Sequence, residues 1–226
     1  MEIEQYLYDL NDSGDAIVAY TMRSNSGGSV QICNLGASLL ALTLPDGSGE
    51  LREVASGSCV KGLAGLLDDR ERFAERLWES RVEVNRVVMS LSYECDGVGI
   101  TAEVIFDYDD EDCFEITYQA VVDSNSPFDL MHNLKFNLSD TYSCEVKSST
   151  NNDNIYNIDG AEAGILKDVA ELHCVNTAQR IAILSSQPSL YYNAVDCSVA
   201  PITAPVKVLK EGERFIQKSV YKPLVD

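Results

Sequence analysis

The sequence predicts an all-β fold, a sandwich or barrel of antiparallel strands, and two observations carry that prediction. Apolar and polar residues alternate with period two in one segment after another from about residue 17 onward, the spacing that turns one face of a strand toward a core. Turn-forming residues separate nearly all of these segments, as expected when many short strands build a sandwich or barrel. With 226 residues the chain is long enough for one large β domain, so 1–226 is read as a single domain.

Taken in order, the first strand is expected over Ser29–Leu44, ended by Pro45-Asp46-Gly47. Leu66–Trp78 is the one helix-like stretch, with Leu66, Phe73 and Leu77 on a shared face and Asp68, Asp69, Arg70 and Glu71 in water. After Arg86, residues Val87, Met89, Leu91 and Tyr93 form an apolar row. Ile100, Ala102, Val104, Phe106 and Tyr108 form the next, and Phe114, Ile116, Tyr118, Ala120 and Val122 the third. The link Asp109-Asp110-Glu111-Asp112 lacks the glycine-turned spacing of a calcium loop and reads as a solvated hairpin turn. Ser148–Asn154 reads as an exposed loop, and further strands are expected at Arg180–Ser186 and around Val206 and Phe215.

The chain carries 36 acidic and 17 basic residues, a formal net charge of -19. Such a field repels a phosphate backbone, and no basic stripe offsets it, so nucleic acid is not an expected partner. No stretch suggests a transmembrane span, and a membrane is not an expected partner either. The opening Met1-Glu2-Ile3-Glu4-Gln5 has neither the basic nor the apolar region of a secretory signal, so a cytoplasmic location is expected. The seven cysteines (Cys33, Cys59, Cys95, Cys113, Cys144, Cys174, Cys197) show no metal-ligand or redox spacing and read as reduced, mostly buried side chains. No metal and no cofactor are expected, and there is no nucleophile elbow or phosphate-cradling glycine loop.

Several segments in a constant order then resemble the aldose 1-epimerase (galactose mutarotase) family, and together they span nearly the whole chain. Asn34-Leu35-Gly36-Ala37 with the later Pro45-Asp46 looks like the family's Asn-x-Gly-Ala strand and its closing Pro-Asp. Leu77-Trp78-Glu79 resembles its Val-Trp-Glu, and the three strands that follow resemble its meander. The segment from Pro127 to Leu138, ending Phe136-Asn137-Leu138, resembles the active-site strand that normally reads Asn-Leu-Thr-Asn-His-Ser-Tyr-Phe-Asn-Leu. Ser186-Gln187-Pro188-Ser189-Leu190 resembles Thr-Gln-Pro-Gly-Leu, and Leu209-Lys210-Glu211-Gly212-Glu213 resembles the C-terminal Leu-x-Pro-Gly-Glu. The resemblance implies a galactose mutarotase-like β-supersandwich of antiparallel sheets with a sugar cleft on one face, and a small-molecule sugar as partner.

Mutarotation takes a proton from the anomeric hydroxyl and gives one to the ring oxygen, so the site needs a base and an opposed acid. In the family these are a glutamate and a histidine. Alignment through Phe136-Asn137-Leu138 puts Asn133 at the acid's position, with His132 one residue away. Alternation along a strand would then turn His132 from the cleft unless a bulge re-aimed it. The base's segment, Ala194–Ala204, holds only Asp196. Leu67 stands where the resemblance places a sugar-binding histidine, and the family's Arg-x-x-Asn-Arg and Asp-His-x-Phe segments have no counterpart. His173, beside Cys174, reads as a packed strand residue rather than a ligand.

Three readings follow from these residues. The first is a family-like protein that recognises a hexose-type sugar through Asn133, Asn137, Gln187 and Tyr192, with Tyr191 as a second stacking candidate, and interconverts anomers weakly or not at all. The second is a divergent active epimerase in which His132 is the catalytic residue and Asp129 or Asp196 replaces the base. The third is a non-catalytic scaffold or interaction protein. The oligomeric state is left open.

Overall fold

The computed structural model describes residues 1–64, 73–95, 97–137, 142–148, 150–152, 154–160, 164–204 and 206–224. Within them every regular element is a strand. β1 (Glu2–Leu10), β2 (Ala16–Arg23), β3 (Ser29–Cys33), β4 (Ser38–Pro45) and β5 (Leu51–Ser58) run as an antiparallel meander. β6 (Val60–Ala64) and β7 (Glu79–Glu83) precede three long strands, β8 (Arg86–Cys95), β9 (Val98–Tyr108) and β10 (Phe114–Val122). β11 (Ser126–His132) and β12 (Leu134–Phe136) follow, with Asn133 alone between them. The remainder holds β13 (Tyr142–Val146), β14 (Thr150–Asn152), β15 (Ile155–Asn157), β16 (Lys167–Cys174), β17 (Gln179–Ser185), β18 (Ser189–Asn193), β19 (Ser198–Ile202), β20 (Lys207–Leu209) and β21 (Arg214–Pro223).

These strands make three antiparallel sheets. A ten-stranded sheet has the order β1-β2-β3-β4-β5-β12-β19-β18-β15-β14, an eight-stranded sheet the order β13-β16-β17-β21-β10-β9-β8-β7, and β20-β11-β6 form the third. The large sheets pack face to face over one apolar cluster. Tyr20, Met22, Ile32 and Leu39 enter it from the first sheet and Met89, Phe106, Ile116 and Tyr221 from the second. Burying whole aromatic and aliphatic side chains here contributes about 1.5–3 kcal/mol each before entropy is counted. The alternation read along β8, β9 and β10 is the alternation observed, with Phe114 opposite Tyr108 and Val122 opposite Ile100.

Four readings need correction. Ser29–Leu44 is two strands, because Asn34–Ala37 turns the chain between β3 and β4. Gly36 (φ 65°) and Ala37 (φ 43°) take left-handed backbone there, and a Cβ on Gly36 would lie 2.5 Å from the Ala74 carbonyl oxygen. The helix-like stretch falls for the most part, Leu66–Arg72, outside the described residues, as does Leu67. Its remainder, Phe73–Trp78, is turn and bridge, tied down by Trp78 N–H to the Asn34 oxygen (2.8 Å) and Gly36 N–H to the Arg76 oxygen (2.8 Å).

The described part of Ser148–Asn154 contributes β14, which pairs with β15, instead of a loop. Lastly, the β9–β10 turn is not fully solvated. Asp112, only 4% exposed, accepts hydrogen bonds from Ser24 Oγ (2.5 Å), Tyr108 Oη (2.6 Å) and Ser26 Oγ (2.6 Å), clamping the β2–β3 turn to it. Burial, and then the adjacent carboxylate, push the Tyr108 phenol well above its ordinary range.

Candidate functional site

β11 presents alternate residues to its two sides, and this alternation builds the site. Phe128, Leu130 and His132 are buried in the core between the sheets. Asp129, Met131 and Asn133 line a cleft of about 370 Å³ on the other side. Across it, Ile155, Tyr191 and Ala200 sit opposite one another on β15, β18 and β19, which brings their side chains to one face. Ile202 and Thr203 complete the wall.

The cleft offers few polar groups. The Asp129 carboxylate, 7% exposed, accepts from Thr203 N–H at 3.2 Å. Asn133 Oδ1 is buried with no hydrogen-bond partner among the described residues, as is Thr203 Oγ1. Tyr191 supplies an aromatic face and a phenol. A carboxylate, an amide and a phenol set among aliphatic side chains match the balance of apolar wall and sparse polar contacts found in small-molecule sites.

His132 belongs to the core. The Tyr118 hydroxyl lies 2.9 Å from Nδ1 and accepts from the His132 backbone N–H at 3.1 Å, while Nε2 lies 2.8 Å from the Ala37 carbonyl oxygen. A carbonyl only accepts, so the ring proton sits on Nε2 and Tyr118 donates to Nδ1. Every polar atom of the imidazole is therefore used. Phe106 meets the ring edge-on at 5.7 Å. Burial lowers the imidazole pKa to about 4, the Ala37 hydrogen bond offsetting part of that effect. No bulge turns the ring toward the cleft.

The other candidates scatter. Asn137 is exposed, and its Nδ2 donates to Glu53 Oε1 and Ser56 Oγ, both at 3.1 Å, on a different part of the sheet. Gln187 is wholly buried, with neither amide atom hydrogen-bonded among the described residues. Tyr192 faces away from Tyr191 and packs against the core. Burial first, then the neighbouring Tyr142 hydroxyl, raises the Tyr192 phenol. Asp196 lies exposed in the β18–β19 turn, accepting from Ser198 N–H at 3.2 Å. His173 is half-buried in β16. The structure thus gathers Asn133, Asp129 and Tyr191 into one cleft. It adds Ile155, on a strand of three residues too short to show a period, and Thr203, which follows the end of β19.

No family model matches the sequence, and neither does any curated protein. Solved structures do. Galactose 1-epimerase from Lactobacillus acidophilus superposes with a TM-score of 0.78 at 12% identity, over 99% of this chain and 98% of that one. The fold is that of the aldose 1-epimerases. A GalM/aldose epimerase homologue from C. elegans gives a TM-score of 0.72 at 15% identity, over 91% and 98% of the two chains. The galactose mutarotase-like sandwich read from the ordered motifs is therefore the observed architecture, shared at identities so low that the likeness describes the scaffold. No helix among the described residues is long and apolar enough to cross a membrane.

Proposed function

We propose that this chain recognises a hexose-type sugar in the cleft between β11 and β18, and that it interconverts anomers weakly or not at all. The observation that carries this reading is the division of labour at the end of β11, where His132 faces the core and the next residue, Asn133, faces the cleft. Ring opening needs one group to take the anomeric proton and another to protonate the ring oxygen. Asp129 has the chemistry of a base, but the described lining contains no imidazole to act as the opposed acid. An amide at 133 can hold a sugar hydroxyl by hydrogen bonding and cannot release a proton near neutral pH. Tyr191 supplies a face on which a pyranose can stack.

The fold shared with a galactose 1-epimerase supports the choice of a sugar as ligand. Cys33, Cys113, Cys144 and Cys197 are free thiols, which supports a reducing, cytoplasmic setting. One apolar cluster drawing on both large sheets supports reading the chain as one domain. The test is polarimetry of freshly dissolved α-galactose and α-glucose, with thermal-shift titrations of the same sugars. We expect a sugar-dependent rise in melting temperature with no change in mutarotation rate. Clear acceleration would refute the weak-catalysis reading, and no response in either assay would leave the scaffold reading.

A further inference from the structure

We propose a second binding site, for a small organic anion with an apolar body, in the cavity between the β17–β18 corner and the β20–β21 hairpin. This cavity of about 200 Å³ shares only Thr203 with the sugar cleft and is otherwise lined by different residues. Its floor is apolar: Phe128 and Phe215 meet edge to face at 5.1 Å, with Leu209 beside them. A dry apolar cavity of roughly 150 Å³ accommodates benzene, so the space here suits a ring or short chain.

The polar groups at this cavity favour negative charge. Lys207 and Arg214 stand exposed at its mouth, and neither makes an ion pair with a carboxylate among the described residues. Among the described residues, the Arg214 guanidinium reaches only Gln119 Oε1, at 3.4 Å. Other cations of the chain, among them Arg52, Arg81, Arg86, Arg180 and Lys218, are paired with carboxylates. Inside the cavity the Gln217 oxygen is occupied by Ser186 Oγ at 2.9 Å, which leaves the amide N–H groups as what Gln217 has to offer. One carboxylate, Glu213, lines the cavity too, and its Oε2 is engaged by Lys210 N–H at 3.1 Å. Two unpaired cations and an amide donor above an aromatic floor fit a carboxylate or phosphate head on an apolar body. The net charge of -19 opposes anions over the rest of the surface.

The test titrates isotope-labelled full-length protein, without sugar, with benzoate, phenyl phosphate and neutral benzyl alcohol, and follows the NMR signals of Leu209 and Phe215. We expect at least one anion to move these signals in a saturable way and benzyl alcohol to bind about tenfold more weakly or worse. Added salt should weaken the anion by screening, and comparing benzoate with phenyl phosphate identifies the preferred head group. The Lys207→Glu, Arg214→Glu double variant, altered only at exposed positions, should fold normally and lose anion binding by about tenfold or more. Benzyl alcohol binding as well as the anions, neither anion moving the signals at millimolar concentration, or undiminished binding by the double variant would each overturn the proposal. Failure of sugar recognition would leave it unaffected.

Discussion

Nε2 of His132 donates to the carbonyl of Ala37, a non-glycine residue held at φ 43°, across 2.8 Å and 95 positions of sequence. The bond fastens the β3–β4 turn to β11, on the core side of the strand whose other side lines the cleft. His132→Ala would leave a cavity, take away the acceptor of the Tyr118 hydroxyl proton and free the strained turn. We expect a loss of about 2–4 kcal/mol in urea denaturation, with sugar-induced thermal shifts retained once the variant is folded.

The same residue sets a pH dependence. Its folded pKa of about 4 lies below the unfolded value near 6.5, so the unfolded chain binds a proton first as pH falls. The contribution is fully present above the unfolded pKa and is lost as pH drops from about 6.5 to about 4, on the order of 3 kcal/mol. Subtracting the stability curve of His132→Gln from that of the natural protein should isolate this step. A flat difference across that window would show that the ring is already charged in the fold.

Tyr191 and Tyr192 separate binding from stability. Tyr191→Ala should weaken sugar binding by about tenfold with little change in melting temperature. Tyr192→Ala should lower melting temperature and leave binding to the surviving fold intact. The reverse pattern in paired thermal-shift titrations would mean that the ligand sits on the other face of β18.

Gln187 buries an amide that makes no hydrogen bond among the described residues. Gln187→Met keeps the shape and removes the polar atoms, so stability should rise by about 1–3 kcal/mol, read from the urea midpoint. A fall instead would reveal a partner for the amide in the native state.

Gly28 approaches the Asp112 clamp so closely that an added Cβ would come within 2.5 Å of the Tyr108 hydroxyl. Gly28→Ala should therefore cost about 1–3 kcal/mol by overpacking. Asp112→Asn, which retains one acceptor oxygen, should cost less than Asp112→Ala.

How much of this was legible depends on how strongly each segment is patterned. β8, β9 and β10 are long and half-buried, so their alternation survives in the sequence almost unbroken. β1 was not anticipated because most of it is exposed on both faces and a register shift between Leu7 and Asp9 breaks its period. The β3–β4 turn was hidden because Leu35 and Ala37 are apolar and continue the apparent strand. In the cleft, Asn133 and Asp129 could be read from the phase of β11. Between Tyr191 and Tyr192 no such choice was available, since β18 is five residues long and only its pairing with β15 and β19 decides which tyrosine faces out. Thr203 joined the site through the return of the chain after β19, a purely tertiary event.

The alternation on β11 also limits how this scaffold can acquire new chemistry. A designer, or natural selection, cannot deliver His132 to the cleft by sliding the strand, because a one-residue slip would turn Leu130 outward and drive Asp129 and Asn133 into the core. The imidazole is already committed as a rivet between two layers. Installing a proton donor here calls for a fresh histidine at position 133, with the old one left in place, so gaining the acid and keeping the fold become two separate and compatible requirements.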